Sequence, residues 1–172
     1  MLLVPNHDSQ WDPVVVALAL RGRRRLRFLA RANLWKVPGL GPILHGIGQI
    51  PIERGGGDAA AVHRAVSALA AGEAICVFPE GRLSRGERLR ARSGVGRLGL
   101  ECPQARVVLC AVRGATHYVR FPRRPQVTVS FFAPEGGQPR AGEAPGELSA
   151  RLLEEIRKRV PPAPSGRRRR QA

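Results

Sequence analysis

Two short, almost wholly apolar runs constrain this chain more than anything else in it. "AICVFP" (74–79) and "ARVVLCAV" (105–112) are too short for ordinary core helices, and Gly72, Pro79 and Arg113 lie at or beside their ends. A strand that is apolar on both faces must be covered on both faces, so these runs place a sheet between layers of helices. The rest of the chain supplies partners for that sheet. "MLLVP" reads as a buried strand that begins at the first residue, which predicts a natural domain that starts further upstream. Asp12 and Pro13 open the apolar run "VVVALAL", as an acidic residue and a first-turn proline do at a helix N-terminus. Arg21 to Arg27 is a basic stretch leading into "FLARANLW". "GIGQIPIER" (46–54) reads as a strand after a glycine-rich approach, and "GGG" (55–57) as a flexible break. Asp58 is a good N-cap for "AAAVHRAVSALAA", and Gly72 a good stop. "VGRLGLE" suits a short helix, the alternating "QVTVSFFAP" (126–134) a strand, and "GELSARLLEEIRKRV" (146–160) an amphipathic terminal helix. The expected fold is α/β, a three-layer sandwich with a central, mostly buried mixed β-sheet flanked by helices.

The 172 residues suffice for one domain, expected at 1–160, with a Pro/Arg-rich tail at 161–172 expected to be disordered. The formal net charge is +16, and taking away the four arginines of "GRRRR" in the tail still leaves +12. Such a charge calls for anionic company: nucleic acid, an anionic membrane surface or phosphorylated substrates. Nucleic acid fits least, because aromatic residues are only 5% and the arginines are scattered rather than striped along one helix. Three cysteines without C-x-x-C spacing make neither a disulfide framework nor a zinc site, and reduced thiols in the cytosol are the simpler reading. No G-x-G-x-x-G follows a strand and no P-loop is present, so no nucleotide cofactor is indicated. The most apolar region (37–52) is interrupted by glycines, prolines, His45 and Gln49, and is too short to span a bilayer. The segment 34–52 reads either as a lipid-facing or acyl-binding surface or as a buried loop and strand.

Three polar blocks follow strand candidates. In "NHDSQWD", Asp12 lies five residues after His7. By spacing alone the pair reads as a strand-to-helix turn with a helix-capping aspartate. The chemical reading puts a carboxylate on one imidazole nitrogen and leaves the other as a general base, with Asn6 pinning the turn. "GQIPIER" ends in Arg54, whose guanidinium can hold a phosphate. "FPEGRLSR" sets Glu80, Gly81, Arg82, Ser84 and Arg85 in one turn, with Arg82 and Arg85 as anion donors.

In this order and with these gaps, the blocks and the strand "VVLCAV" resemble the glycerolipid acyltransferase family. Its pattern is N-H-x4-D, G-x-I-x-I-x-R, F-P-E-G-T-R-S and a V-P-V-type strand. The resemblance runs from about Leu2 to Val160. It implies that His7 is the general base, that Asp12 is its partner, and that Arg54, Glu80 and Gly81 bind the acceptor. Ser84 matches the family serine, while Arg82 and Leu83 stand where the family has threonine and arginine. Arg82 or Arg85 then substitutes for the displaced arginine. The implied reaction moves a fatty acyl group from acyl-CoA or acyl carrier protein to the hydroxyl of a lysophospholipid, with 1-acyl-sn-glycerol-3-phosphate favoured and no metal or cofactor required. Backbone N–H groups of the first block are the expected oxyanion donors, and the inner face of the cell membrane is the expected place of work. Another lysolipid or glycolipid acceptor, an inactive or truncated family member, and a basic nucleic-acid-binding protein are the alternatives.

Overall fold

The computed structural model of the chain describes residues 1–20, 25–53, 58–117 and 126–163. Six strands form one sheet: β1 (Leu2–Pro5), β2 (Leu26–Arg31), β3 (Ile50–Ile52), β4 (Ala74–Cys76), β5 (Val107–Arg113) and β6 (Thr128–Phe132). Their order across the sheet is β3-β2-β4-β1-β5-β6. All pairings are parallel except β5 with β6, so the sheet is mixed, as expected. β1, the first strand of the chain, lies in the middle, with Leu2 and Leu3 in register with Ile75 and Cys76 on one side and with Val107 and Val108 on the other.

The side-chain period of two divides these strands between two cores. Leu2, Val4, Ile75, Val107 and Leu109 face one way. There they meet α3 (Ala59–Ala70), α4 (Gly94–Glu101) and α5 (Pro145–Arg159) through Ala65, Leu69, Leu98, Leu152 and Ile156. Leu3, Ala74, Cys76, Cys110 and Val112 face the other way and meet Val16 of α1 (Asp12–Ala19). This double coverage is why β4 and β5 read as continuous apolar runs. All three cysteines are free and buried.

Most of the expected elements stand close to where the sequence places them. The Asp58 side chain accepts the Ala61 N–H at 2.9 Å and caps α3, and Gly72 (φ 82°) ends it. α4 and α5 pack so closely at Gly96 that a Cβ there would lie 1.9 Å from the Pro145 carbonyl oxygen. Two regions differ from the expectation. "LRFLAR", whose first two residues read as part of the basic stretch 21–27, is strand β2: Leu26 and Phe28 pack on one core and Leu29 on the other, while the half-buried Arg27 donates to the Gly48 carbonyl and Arg31 is exposed. In "GIGQIPIER" only Ile50–Ile52 is strand; Gly46 closes α2 (Leu40–Gly46), which no periodicity announced. The segment 34–52 is not a buried loop: Leu34, Val37, Ile43 and Ile47 are exposed. The basic residues 21–24, Arg54, the triple glycine and the tail from 164 onward lie outside the described residues.

Candidate active site

The site lies at the carboxyl edge of the parallel strands, where loops from neighbouring strands emerge side by side. "NHDS" follows β1, "FPEG" follows the adjacent β4, and the end of β5 borders β1 on its other side. Asn6 ties the first loop to β5. Its Oδ1 accepts the Val112 N–H at 2.7 Å, and its Nδ2 donates to the Val112 carbonyl at 2.9 Å and to Asp8 Oδ2 at 2.9 Å. The side chain thereby continues the strand ladder where β1 stops, so it pins the loop to a neighbouring strand rather than to its own backbone.

Asp12 stands at the start of α1, with Pro13 in the first turn. Its Oδ2 is the hub of the loop. It accepts the Asp8 and Ser9 N–H groups at 2.7 Å each and lies 3.2 Å from His7 Nδ1. Two backbone donors fix the carboxylate, so the third contact sets the direction of the imidazole. The ring is clamped from the side as well: it stacks on Phe78 with centroids 4.1 Å apart and an interplanar angle of 28°. Asp12 is fully buried, whereas the His7 side chain retains 17% of its exposure. A carboxylate on Nδ1 puts the ring proton there and leaves the Nε2 lone pair free to accept another.

Beneath the histidine lies a buried ionic cluster. Glu80 Oε2 accepts the His7 N–H at 2.7 Å, and the His7 carbonyl accepts the Ser84 N–H at 2.8 Å. The Ser84 hydroxyl donates to Asp8 Oδ1. Arg157, from α5, donates to Glu80 Oε1 from Nε at 3.1 Å and Nη2 at 2.5 Å, and to Asp8 from Nη1 at 2.9 Å and Nη2 at 2.8 Å. Asp8, Glu80 and Arg157 are each under 5% exposed. Burial pushes the Glu80 carboxyl above its ordinary value, against the opposing pull of Arg157 and the His7 N–H. Burial opposes the charge on Arg157, but Asp8 and Glu80 together outweigh it and hold the guanidinium more firmly protonated than usual.

The structure thus brings together His7, Asp12, Glu80 and Ser84 of the residues singled out from sequence. Both oxygens of Glu80 are engaged by protein donors, which orients the loop of His7 from below. Gly81 (φ 65°) makes the turn after Glu80, where a Cβ would press on Arg92 Cγ at 3.2 Å. Arg82 is exposed and reaches Glu87 Oε2 at 3.5 Å. Arg85 is also exposed and is the one non-glycine among the described residues with positive φ, 52°, a conformation that non-glycine residues rarely adopt. Arg54 lies outside the described residues. The N–H groups of His7, Asp8 and Ser9 are all taken by Glu80 and Asp12, so these three do not serve as the expected oxyanion donors.

Asp8, Phe78 and Arg157 belong to the site but were not singled out from sequence. Arg157 carried a signal: it lies four residues after Leu153 and three before Val160, inside the apolar stripe of α5. A charge on the buried face of an amphipathic helix demands a buried partner. Among the described residues no group of three or more His, Cys, Asp or Glu is arranged to hold a metal ion. No helix among them is long and apolar enough to cross a membrane.

Comparison with known proteins bears on this arrangement. Over 96 residues the chain is 36% identical to the lyso-ornithine lipid O-acyltransferase of Pseudomonas aeruginosa, a stretch that covers 55% of this chain and 35% of that enzyme. Its fold is similar to the crystal structure of the 1-acyl-sn-glycerophosphate (LPA) acyltransferase PlsC from Thermotoga maritima, with a TM-score of 0.69 and 22% identity, covering 93% of this chain and 64% of that one. The chain therefore spans about a third of the first protein and under two thirds of the second. The family described as Acyltransferase matches residues 1–131, the stretch that carries both loops of the site, His7 to Asp12 and Phe78 to Ser84. By that match over most of its length, the chain belongs to the Acyltransferase family.

Proposed function

We propose that this chain transfers a fatty acyl group from a thioester donor, acyl-CoA or acyl carrier protein, to the free hydroxyl of a lysolipid. The observation that carries this reading is the contact of His7 Nδ1 with Asp12 Oδ2 at 3.2 Å, on a ring whose other nitrogen is free to act. His7 Nε2 takes the hydroxyl proton as the acceptor oxygen bonds to the thioester carbonyl carbon. Asp12 stabilises the imidazolium that forms. Collapse of the tetrahedral intermediate breaks the C–S bond, and the leaving thiolate takes the proton back from the imidazolium. No cofactor enters this balance.

The acceptor we favour is 1-acyl-sn-glycerol-3-phosphate. A formal charge of +16 and the exposed arginines Arg82 and Arg85 beside the histidine loop suit an anionic headgroup, with Arg54 as a further phosphate ligand. The similarity to a lyso-ornithine lipid acyltransferase, together with the Arg82–Leu83 departure from the family pattern, supports a lyso-ornithine lipid as the second acceptor to assay. Work at an anionic membrane surface is supported by α1, where Trp11, Val14 and Leu18, spaced three and four apart, are exposed on one side.

The test is acyl transfer from labelled acyl-CoA to each acceptor, with products identified by mass spectrometry. His7→Ala should lower kcat by roughly 10²- to 10⁴-fold while leaving the circular dichroism spectrum unchanged. A fully active His7→Ala protein rules out the base assignment.

A further inference from the structure

Among the described residues, two buried side-chain atoms meet no hydrogen-bond partner: Asp12 Oδ1 and Thr116 Oγ1. They come from separate parts of the chain, the start of α1 and a short 3-10 turn (Ala115–His117) that follows β5. Both residues line one cavity of about 90 Å3, together with Asp8, Gly114 and Val160. Orphaned buried polar atoms are rare in folded proteins, and a carboxylate oxygen without a donor is among the least favourable. Two such atoms on the wall of the same small cavity share one remedy. One water needs about 10–15 Å3 of space for its centre and two to four polar partners. This cavity has the room, and its lining has the acceptors and the hydroxyl.

We propose that a water molecule held in this cavity donates to Asp12 Oδ1 and hydrogen-bonds Thr116 Oγ1, which makes Thr116 a positioning residue for the His7–Asp12 pair. The proposal rests on the reading of His7 as the base. Asp12 Oδ2 already serves the Asp8 N–H, the Ser9 N–H and His7 Nδ1, so one oxygen carries the whole loop. A donor on Oδ1 fixes the remaining freedom of the carboxylate plane and stabilises its charge in a site that also contains the carboxylates of Asp8 and Glu80, the guanidinium of Arg157 between them, and Arg113, which lines the same cavity and donates to the Arg159 carbonyl. The turn after β5 thereby becomes part of the active-site support, although it contributes nothing to the sequence blocks.

Thr116→Val keeps the side-chain volume and removes the hydroxyl, and Thr116→Ser restores the hydroxyl alone. Thr116→Val should lower kcat about tenfold, since the carboxylate loses a donor, with KM unchanged. The acid side of the pH–kcat/KM profile should move upward, because a carboxylate with one fewer donor holds the imidazolium more strongly. Thr116→Ser should restore both. A Thr116→Val enzyme with native kcat and native pH profile overturns the proposal. A crystal structure of the full chain supplies a readout that does not depend on activity. It should contain a water within about 3.2 Å of both atoms, lost in Thr116→Val; a dry cavity, or a direct bond from Thr116 to Asp12, overturns it. If the water is present while His7→Ala remains fully active, the base assignment fails and the bridge stands.

Discussion

Arg157→Met is the most informative perturbation of the site's foundation. Methionine preserves much of the aliphatic bulk of arginine and removes the charge and all of its donors. In the native protein five contacts end on that guanidinium: two to Asp8, two to Glu80 and one to the Val160 carbonyl at 3.3 Å. Two carboxylates and one guanidinium become two carboxylates alone, all under 5% exposed. Removing one member of a buried ion pair costs about 3–5 kcal/mol, because the partner's charge is left without compensation. With a urea slope of about 2 kcal/mol/M, the unfolding midpoint should fall by about 2 M. The pH dependence tests the cause. Burial already pushes the Glu80 carboxyl above its ordinary 4.5, so the folded state holds this proton more tightly than the unfolded chain does. Its contribution to stability is full below about 4.5 and is lost as the pH rises through the folded value. Without Arg157 that value climbs further. The gap between variant and native protein should therefore be small in acid and widen toward neutral pH. Urea titrations followed by circular dichroism at several pH values measure this. A variant within about 1 kcal/mol of native at pH 7, or a gap that narrows as pH rises, refutes the assignment of Arg157 as the required counter-charge.

Three other outcomes follow from single features. Gly96→Ala would set a Cβ 1.9 Å from the Pro145 carbonyl oxygen and should destabilise by about 3 kcal/mol, whereas Gly94→Ala, with nothing within 4 Å, should be neutral or slightly stabilising; paired thermal melts decide this. Burial pushes the Cys110 thiol up to about 12, with the Asp12 carboxylate adding to it, and pushes Cys76 well above its ordinary value. In the native protein at pH 8 both should resist a disulfide reagent until denaturant is added, and rapid labelling of either would contradict their burial. Leu18, 71% exposed on α1, should contribute to vesicle binding, so Leu18→Glu should reduce sedimentation with anionic liposomes, and unchanged sedimentation would remove α1 from the contact surface.

How much of this was legible beforehand depended on where the information is local. β4 and β5 could be read because burial on both faces leaves apolar residues at successive positions, Ala74 to Cys76 in β4 and Val107 to Val112 in β5. α3 could be read because Asp58 and Gly72 punctuate it. β2 was hidden because its start merges with the arginines before it and its residues do not alternate cleanly, so only its neighbours β3 and β4 define it as a strand. α2 was hidden because its short glycine- and proline-containing run shows no periodicity, and Ile43 within it and Ile47 just after it are exposed.

The same division holds at the site. His7 and Asp12 are five residues apart, so one turn brings them together, and their pairing could be inferred from spacing and from the order of the blocks that follow. Glu80 and Ser84 were visible as parts of a turn, but only the adjacency of β1 and β4 directs Glu80 toward the His7 N–H and Ser84 toward Asp8. Arg157 lies 149 residues from Asp8 and 77 from Glu80. Its place in the cluster exists only because α5 packs back across the central strands. The chain's amino acids by themselves pointed to a sandwiched sheet and a histidine–aspartate turn, because the signals for both, short apolar runs and a five-residue spacing, are local along the chain. The tertiary structure decided what holds that turn in place, because the counter-charges of a buried site come from whichever strands and helices the topology sets beside it.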